Sequence, residues 1–352
     1  MIFLNPDTGS NGHETFLLEK RRRLCYISNL KSRSRRGVFH EIVIIYRIRC
    51  QMIFFGIGSM VLVGLGWTFF GYVMGKAPRQ NIKIPYLLIF SSMLALAVSC
   101  AIGLYQGFPR LTPFGYFITF GVLVICGIAN YFQLDFMSRA MQKGPNGIIW
   151  SIIQSGFVFP FFMGVIFFGV RLNILRISGL VSLLAALALF GMGKKTSSEG
   201  DWKLPAFGSF LMTGLSQMLS NLPSYFPEAQ AVSSIWRTAA FSVGLGLGAV
   251  ILELPKGKLF FTELGDHFRR LAVWQNCLLL EVPEMVSSYL LLYPGMDILS
   301  QAGIGSVAYP LMVGSCIIFF EIFAILVLRE KRRPVQWLAL GLCLLGVIGI
   351  CL

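Results

Sequence analysis

The sequence has little charge and few residues of the kinds that build catalytic or metal sites. Only 13% of its 352 residues are Asp, Glu, Lys or Arg, and only three are histidines. The eight cysteines are scattered, with no C-x-x-C pair and no histidine at ligand spacing, so we expect neither a metal site nor a disulfide. No G-x-x-x-x-G-K-[ST] segment is present, which excludes a phosphate-binding loop of that kind. Because no nucleophile–base pair stands out, we expect neither an enzyme nor a cofactor.

Apolar residues, in contrast, are abundant: 55% of the chain is hydrophobic and 14% is aromatic. A soluble domain of this composition would expose large apolar patches, so the composition predicts a protein that lies in a bilayer. A hydrocarbon core about 30 Å thick takes roughly 20 helical residues per crossing. Apolar runs of that order recur approximately at 52–75, 85–106, 114–142, 147–169, 177–193, 204–222, 234–254, 271–293, 304–328 and 335–352. They are apolar on all sides, which indicates an all-α integral membrane fold with ten transmembrane helices.

The polar segment 194–203 divides the ten runs into five and five. Shifting the chain by 160 residues places Ser155 on Ser315 and Leu180 on Leu340. An odd number of spans per half gives the halves opposite orientations, which is the inverted repeat of many secondary carriers. We therefore predict a basic tail at 1–51, a first five-helix repeat at 52–193, a polar linker at 194–203 and a second five-helix repeat at 204–352.

Two stretches resemble a known family. One runs from Ser138 to Pro145 (SRAMQKGP) and leads to Gly169-Val170-Arg171, and the other runs from Leu299 to Pro310 (LSQAGIGSVAYP) and leads to Arg329-Glu330-Lys331 and Trp337. Both are similar to the small-residue turn and the Gly-Glu-basic loop of the ten-helix drug/metabolite transporter superfamily, in its EamA-like branch. Val170 stands where that family usually has Glu. The resemblance implies a proton-driven carrier of small metabolites, with the substrate route between the halves.

Basic residues are distributed unequally between the two sides of the predicted bundle. One side carries sixteen Lys and Arg residues, and the other carries only Arg110, Arg171, Arg176 and Arg237. The positive-inside rule then puts the sixteen-charge side in the cytoplasm, whereas the family resemblance implies the reverse orientation. We expect the protein in the bacterial inner (plasma) membrane.

The basic segment 1–51 has two interpretations. Translation that begins at Met52, directly before the first apolar run, would leave this segment out of the protein. Alternatively, the Arg- and Ser-rich stretch 20–39 is an organelle transit segment. Neither interpretation makes it a nucleic-acid module, because the formal charge of +14 is explained by loops that face anionic lipid headgroups.

Glutamates within apolar runs are the main site candidates. Glu281 and Glu284 lie on one helical face of the eighth run with Pro283 between them, and Glu321 lies in the ninth run. A charged side chain near the bilayer centre costs about 2.5–3.5 kcal/mol on insertion scales, so such residues typically mark ion or substrate pathways. We predict that these three glutamates bind protons or substrate. The alternative is that they pair with a buried hydroxyl, an amide or Arg237 and serve packing.

Neutral side chains complete the predicted site. Asn130 and Gln154 lie deep in their runs and are predicted to hydrogen-bond substrate, although such amides also serve to join helices. Trp67 and Tyr309 are predicted to wall the pocket, with packing as the alternative for each.

Two further features are assigned structural roles. Asp135 precedes Arg139 by four residues, the favourable order for an ion pair on one helix. Segment 256–270 mixes both charges with exposed apolar residues and indicates an interfacial loop or short surface helix, on which we expect His267 to be exposed.

The residues together predict a secondary active transporter that works by alternating access and is coupled to protons. Basic residues are almost absent from the runs, which disfavours phosphorylated solutes and favours an amino acid, an amine or a drug-like solute. Two alternatives stay open: a proton-coupled sugar importer of the same fold, and a non-transporting membrane receptor or assembly protein. The expected partners are a small-molecule substrate, protons and the lipid bilayer, with no nucleic acid.

Overall fold

Helices account for nearly all of the chain that the computed structural model describes, which is residues 35–143, 146–191, 202–326 and 334–352. Within these ranges no β-strand occurs. Contacts divide the chain into the units Met1–Met52 and Ile53–Leu352. In the smaller unit the described residues are helical, and the larger unit contains both predicted repeats.

The helices of nine or more residues are numbered in chain order. They are α1 (Arg35–Lys76), α2 (Ile84–Gln106), α3 (Pro113–Lys143), α4 (Asn146–Gln154), α5 (Val158–Phe168), α6 (Ile174–Gly191), α7 (Lys203–Asn221), α8 (Ser234–Glu253), α9 (Lys258–Phe268), α10 (Leu271–Ser287), α11 (Tyr293–Gln301), α12 (Ala308–Leu326) and α13 (Pro334–Cys351). Irregular turns interrupt or join several of them: π-helical turns at Phe117–Gly121 and Ser288–Leu292, and 3-10 turns at Ser155–Phe157 and Gly305–Val307.

Several helices have the length and composition of membrane spans. Within the described ranges, five stretches are long and apolar enough to cross a bilayer: Cys50–Met74, Ile84–Gln106, Pro113–Lys143, Ser234–Lys256 and Pro334–Cys351. Shorter apolar helices occur at Ile152–Phe168, Ile174–Leu189 and Gly305–Phe319. A helix satisfies its backbone hydrogen bonds internally, which is why apolar runs of this kind fold as helices in lipid. The prediction of an all-α fold is confirmed for the described residues, and several of these helices have the length and composition expected of membrane spans.

Glycines bring the backbones of α3 and α8 into direct contact. A Cβ atom on Gly244 would lie 2.0 Å from the carbonyl oxygen of Val124, and one on Gly127 would lie 2.2 Å from the carbonyl oxygen of Phe241. Real side chains do not tolerate such distances, so the crossing requires glycine at both positions. Small residues at membrane helix contacts allow this close approach.

Helix α9 lies between α8 and α10 in the sequence, and it carries His267, which was expected to be exposed. His267 is buried, with 6% of its surface exposed, because its ring packs 4.8 Å from the ring of Tyr86 and its Nε2 accepts the backbone N–H of Lys83 at 3.3 Å. The expectation of an exposed His267 is therefore wrong. The Glu263 carboxylate accepts hydrogen bonds from the Lys83 ammonium at 2.6 Å and the Tyr86 hydroxyl at 2.8 Å, and these two bonds lower the pKa of Glu263.

The contact between α3 and α8 makes Gly244 sensitive to substitution. We expect Gly244→Ala to destabilise the protein by about 1–3 kcal/mol or more, because overpacking forces the backbones apart. The measurement is thermal unfolding of the purified protein in detergent. Gly58→Ala is the matched control, because a Cβ at Gly58 meets nothing within 4 Å. Equal melting temperatures for the two variants would contradict the contact.

Candidate functional site

A cavity lined by both polar and apolar side chains lies within the larger unit, between helices from both halves of the chain. Its volume is ≈ 130 Å³, far above the roughly 10–15 Å³ that a single water molecule needs. Residues of α1, α2, α3, α4, α7, α8, α10, α11 and α12 line it. The space is therefore sufficient for several waters or a small solute.

The structure brings most of the predicted site residues together around this cavity. The six that line it are Glu281, Glu284, Asn130, Gln154, Trp67 and Tyr309. Glu321 belongs to α12, but its side chain lies outside the described residues. The placement of the six residues agrees with one shared pocket, and their binding roles stay predictions.

The acid pair lies on α10, next to two irregular features of that helix. Glu281 is buried and Glu284 is partly exposed, and both border the cavity. Pro283 separates them within the helix, and a π-helical turn begins at Ser288, whose hydroxyl lies 3.4 Å from Glu284 Oε1. Four ion pairs join described residues, and neither glutamate belongs to any of them. The pair thus faces the cavity without a basic partner.

Arg237 is engaged elsewhere, so the alternative in which it neutralises these glutamates is wrong for the acid pair. Its side chain is fully buried, its Nη1 donates to Asp297 Oδ1 at 2.9 Å, and its Nη2 donates to the carbonyl of Ala229. The guanidinium also lies 5.5 Å from the ring centroid of Tyr293, which borders the cavity. The sequence did not predict Asp297 as a partner of Arg237, because the eighth apolar run was predicted to end at 293. In the structure, helix α11 continues beyond that residue.

Helix α7 contributes a polar wall that the sequence analysis missed. Gln217, Ser216 and Ser220 border the cavity, and Gln217 Oε1 has no hydrogen-bond partner among the described residues. The signal was present in the sequence, because polar residues recur on one face of this helix, at Ser209, Thr213, Ser216, Gln217 and Ser220. An oxygen without a protein partner at a cavity wall is available to water or a ligand.

The remaining predicted residues differ in their contacts. Asn130 Nδ2 donates to Gln133 Oε1 at 3.3 Å, so this amide already has one partner. Trp67 and Tyr309 form an aromatic pair with ring centroids 6.2 Å apart and ring planes inclined by 42°. Both rings border the cavity and give it an aromatic wall.

Comparison with known proteins gives a fold relationship. No protein-family model and no curated protein matches the chain. It is similar to a solved structure described only as "Crystal structure of protein", with 14% sequence identity and a TM-score of 0.60. The alignment covers 86% of this chain and 98% of that chain. At this identity the likeness shows a shared fold and no more.

The ion pair between Arg237 and Asp297 predicts that the loss of one carboxylate strongly lowers the stability of the protein. We expect Asp297→Asn to destabilise the protein by about 3–5 kcal/mol, because it leaves the Arg237 guanidinium buried without a counter-charge. Chemical unfolding in detergent measures the difference. The control is Asp135→Asn, which breaks the predicted pair with Arg139; that pair is present at 2.7 Å with Arg139 57% exposed, and should be worth less than about 1 kcal/mol. Similar losses for both variants would contradict this assignment.

Proposed function

We propose that the chain is a secondary active transporter of ten spans, built as two inverted five-helix repeats, that moves a small polar or amphipathic solute by alternating access coupled to protons. One observation carries the proposal: Glu281 and Glu284 border a cavity between apolar helices, without a basic partner among the described residues. Charged groups in such positions are costly, and they commonly belong to proton relays or substrate pathways. Glu321 is retained as a third candidate.

Contacts between α6 and α13 support the repeat. These helices run antiparallel, since Gly179 lies against Ile350 while Ser182, later in α6, contacts Leu342, earlier in α13. The Ser182 hydroxyl donates to the Leu342 carbonyl at 2.8 Å, and the two residues are 160 positions apart. If a two-fold axis relates the two halves, a residue can contact its own equivalent only close to that axis. The 160-residue shift found in the sequence makes Ser182 and Leu342 equivalent, so their contact agrees with a two-fold axis that passes between α6 and α13.

The directions of two other helix pairs agree with a two-fold repeat, in which each helix of one half is equivalent to a helix of the other half. Helices α3 and α8 run parallel, because Val124 lies beside Gly244 and Tyr131 lies beside Gly248. They correspond to the third and seventh proposed spans. Exchanging the halves turns this pair into the eighth and second spans, which should then also be parallel.

Helices α10 and α2, the proposed eighth and second spans, run parallel. Cys277 Sγ lies 3.7 Å from the carbonyl of Leu87, and the Tyr289 and Ser99 hydroxyls are 2.7 Å apart, so the sequence advances in the same direction along both helices. Odd spans of the proposed topology share one direction and even spans the other. These contacts support ten alternating crossings arranged as two related halves.

The lining of the cavity limits the class of solute. It contains carboxylates, amides, hydroxyls and aromatic rings, and no Lys, Arg or His is among the described residues that line it. A phosphorylated solute would need basic partners. An amino acid, an amine or a drug-like solute fits better, as the resemblance to the drug/metabolite transporter superfamily implies. A proton-coupled sugar importer is the second candidate, because amides and a tryptophan beside hydroxyl groups also suit a sugar.

The span that carries the acid pair offers a place for movement. Pro283 removes one helical hydrogen bond, and the π-helical turn Ser288–Leu292 separates Glu284 from Tyr293. In the proposed cycle, binding or release of a proton at the pair changes the charge in the cavity, and the halves rearrange around it to expose the other side.

Transport assays test the role of the acids. We expect Glu281→Gln and Glu284→Gln to reduce solute movement driven by a pH gradient at least about tenfold in proteoliposomes, because an amide cannot exchange the proton. Glu321→Gln is measured in parallel. Asp266→Asn, which changes an exposed carboxylate on α9, is the control and should transport normally. Gradient-driven transport that survives all three Gln substitutions would rule out these sites, and absence of any solute movement would favour a receptor or assembly protein.

Cysteine labelling tests the topology and the orientation proposed from the loop charges. In a variant without native cysteines, Leu172→Cys lies between α5 and α6, and Lys258→Cys lies between α8 and α10. Both parent residues are exposed. We expect a membrane-impermeant maleimide to label Leu172→Cys in intact cells and Lys258→Cys only after permeabilisation. Labelling of both from one side would contradict the ten-span topology, and the opposite result would reverse the orientation.

A further inference from the structure

We infer that the cavity prefers an organic cation, an amine that carries an aromatic or other apolar group, over a zwitterionic amino acid or an organic acid. The inference rests on the proposed function, in that it takes the cavity as the substrate site. It narrows the three solute classes above to one. Its basis is the balance of charges and rings around the acid pair.

The negative charge of the cavity lacks a fixed counter-charge. Glu281 and Glu284 are three residues apart on one helix face, so their Cβ atoms lie about 5–6 Å from each other. Two carboxylates at this spacing repel each other when both are ionised. An ammonium group placed between them relieves this repulsion and forms charge-assisted hydrogen bonds with both. The Ser288 hydroxyl, 3.4 Å from Glu284, does not replace such a cation.

A carboxylate on the solute finds no comparable partner. No Lys, Arg or His is among the described residues that line the cavity. The guanidinium of Arg237 lies behind the ring of Tyr293, and Asp297 and the Ala229 carbonyl already accept its hydrogen bonds. An amino acid would therefore bring its carboxylate close to two acids without compensation. The lining thus discriminates against both zwitterions and anions.

Aromatic rings complete the fit to a cation with an apolar body. Trp67 and Tyr309 form one wall, and Trp150 and Phe241 also border the cavity. The face of an aromatic ring attracts a cation, and Trp does so most strongly. Arg237 occupies one face of Tyr293. We therefore assign the contact with the solute to the aromatic pair of Trp67 and Tyr309.

Protons should compete with such a solute. The other titratable groups around the acid pair are thiols and phenols: Cys126, Cys316, Tyr293 and Tyr309 border the cavity, and Cys277 and Tyr289 lie near Glu281. Groups of these types are ordinarily neutral near pH 7. Among the described residues that line the cavity, the carboxylates of Glu281 and Glu284 are thus the groups that can carry charge. Protonation removes the negative charge that holds the ammonium, so binding of an amine weakens as the pH falls. Solute and proton then occupy the pair in turn, as an exchanger requires.

Three related compounds test the inference on the unmodified full chain in detergent. Phenethylamine, L-phenylalanine and 3-phenylpropionate share a ring and a two-carbon chain and differ in charge. We expect phenethylamine at pH 8 to bind at least about tenfold more tightly than either of the others in calorimetric titrations. We also expect its affinity to fall as the pH is lowered to 5.5. Equal or tighter binding of phenylalanine or phenylpropionate, or no binding of phenethylamine, would overturn the inference.

A double variant and a transport assay separate this inference from the proposed function. Glu281→Gln with Glu284→Gln should lose the preference for phenethylamine, while Asp266→Asn keeps it; melting temperature and elution profile establish that each variant is folded. If phenethylamine binds as expected but no pH gradient moves it through proteoliposomes, the proposed function fails and the ligand class stands. If a pH gradient drives phenylalanine while phenethylamine does not bind, the function stands and the ligand class is wrong.

Discussion

The cost of removing charge from water governs this structure. Ionised carboxylates in a bilayer are tolerated where they meet a partner, a proton or a wet cavity, and the chain uses two of these solutions. Asp297 receives the guanidinium of Arg237, in a pair with a fully buried arginine. Glu281 and Glu284 receive a cavity instead, bordered by serines, amides and aromatic rings from most of the helices of the larger unit. The first arrangement joins two helices, and the second leaves two carboxylates at a cavity without a basic partner among the described residues.

Two of the helices that border that cavity pack closely against each other. Where α3 meets α8, Gly127 and Gly244 allow the backbones to touch. The same two helices also carry cavity residues, including Asn130 on α3 and Thr238 on α8. The close contact between α3 and α8 therefore adjoins the cavity.

The sequence predicted those features that depend on local pattern. Apolar runs placed the helices, and the spacing of Glu281 and Glu284 placed both acids on one face, as the cavity has them. Features that depend on tertiary contacts were out of reach. His267 is buried because Tyr86 and Lys83, far away in the chain, close over it, and Arg237 finds Asp297 through the folding of a helix whose end was predicted too early. Gln217 is an intermediate case, because its polar helix face was readable but a cavity opposite it was not.

The two ends of the bundle hold their ion pairs in different dielectric surroundings. Gly103, late in α2, lies against Trp236 at the start of α8, so Lys83 before α2 and Arg237 in α8 belong to opposite ends. Lys83 is 54% exposed in its pair with Glu263, whereas Arg237 is fully buried. Mobile ions screen exposed charges over a Debye length of about 8 Å at physiological ionic strength and barely reach buried ones. Added salt should therefore weaken the pair of Lys83 and Glu263, at the end that carries α9, and leave the pair of Arg237 and Asp297 unchanged. The ionic composition of the medium then affects the stability of one end of the bundle and not of the other.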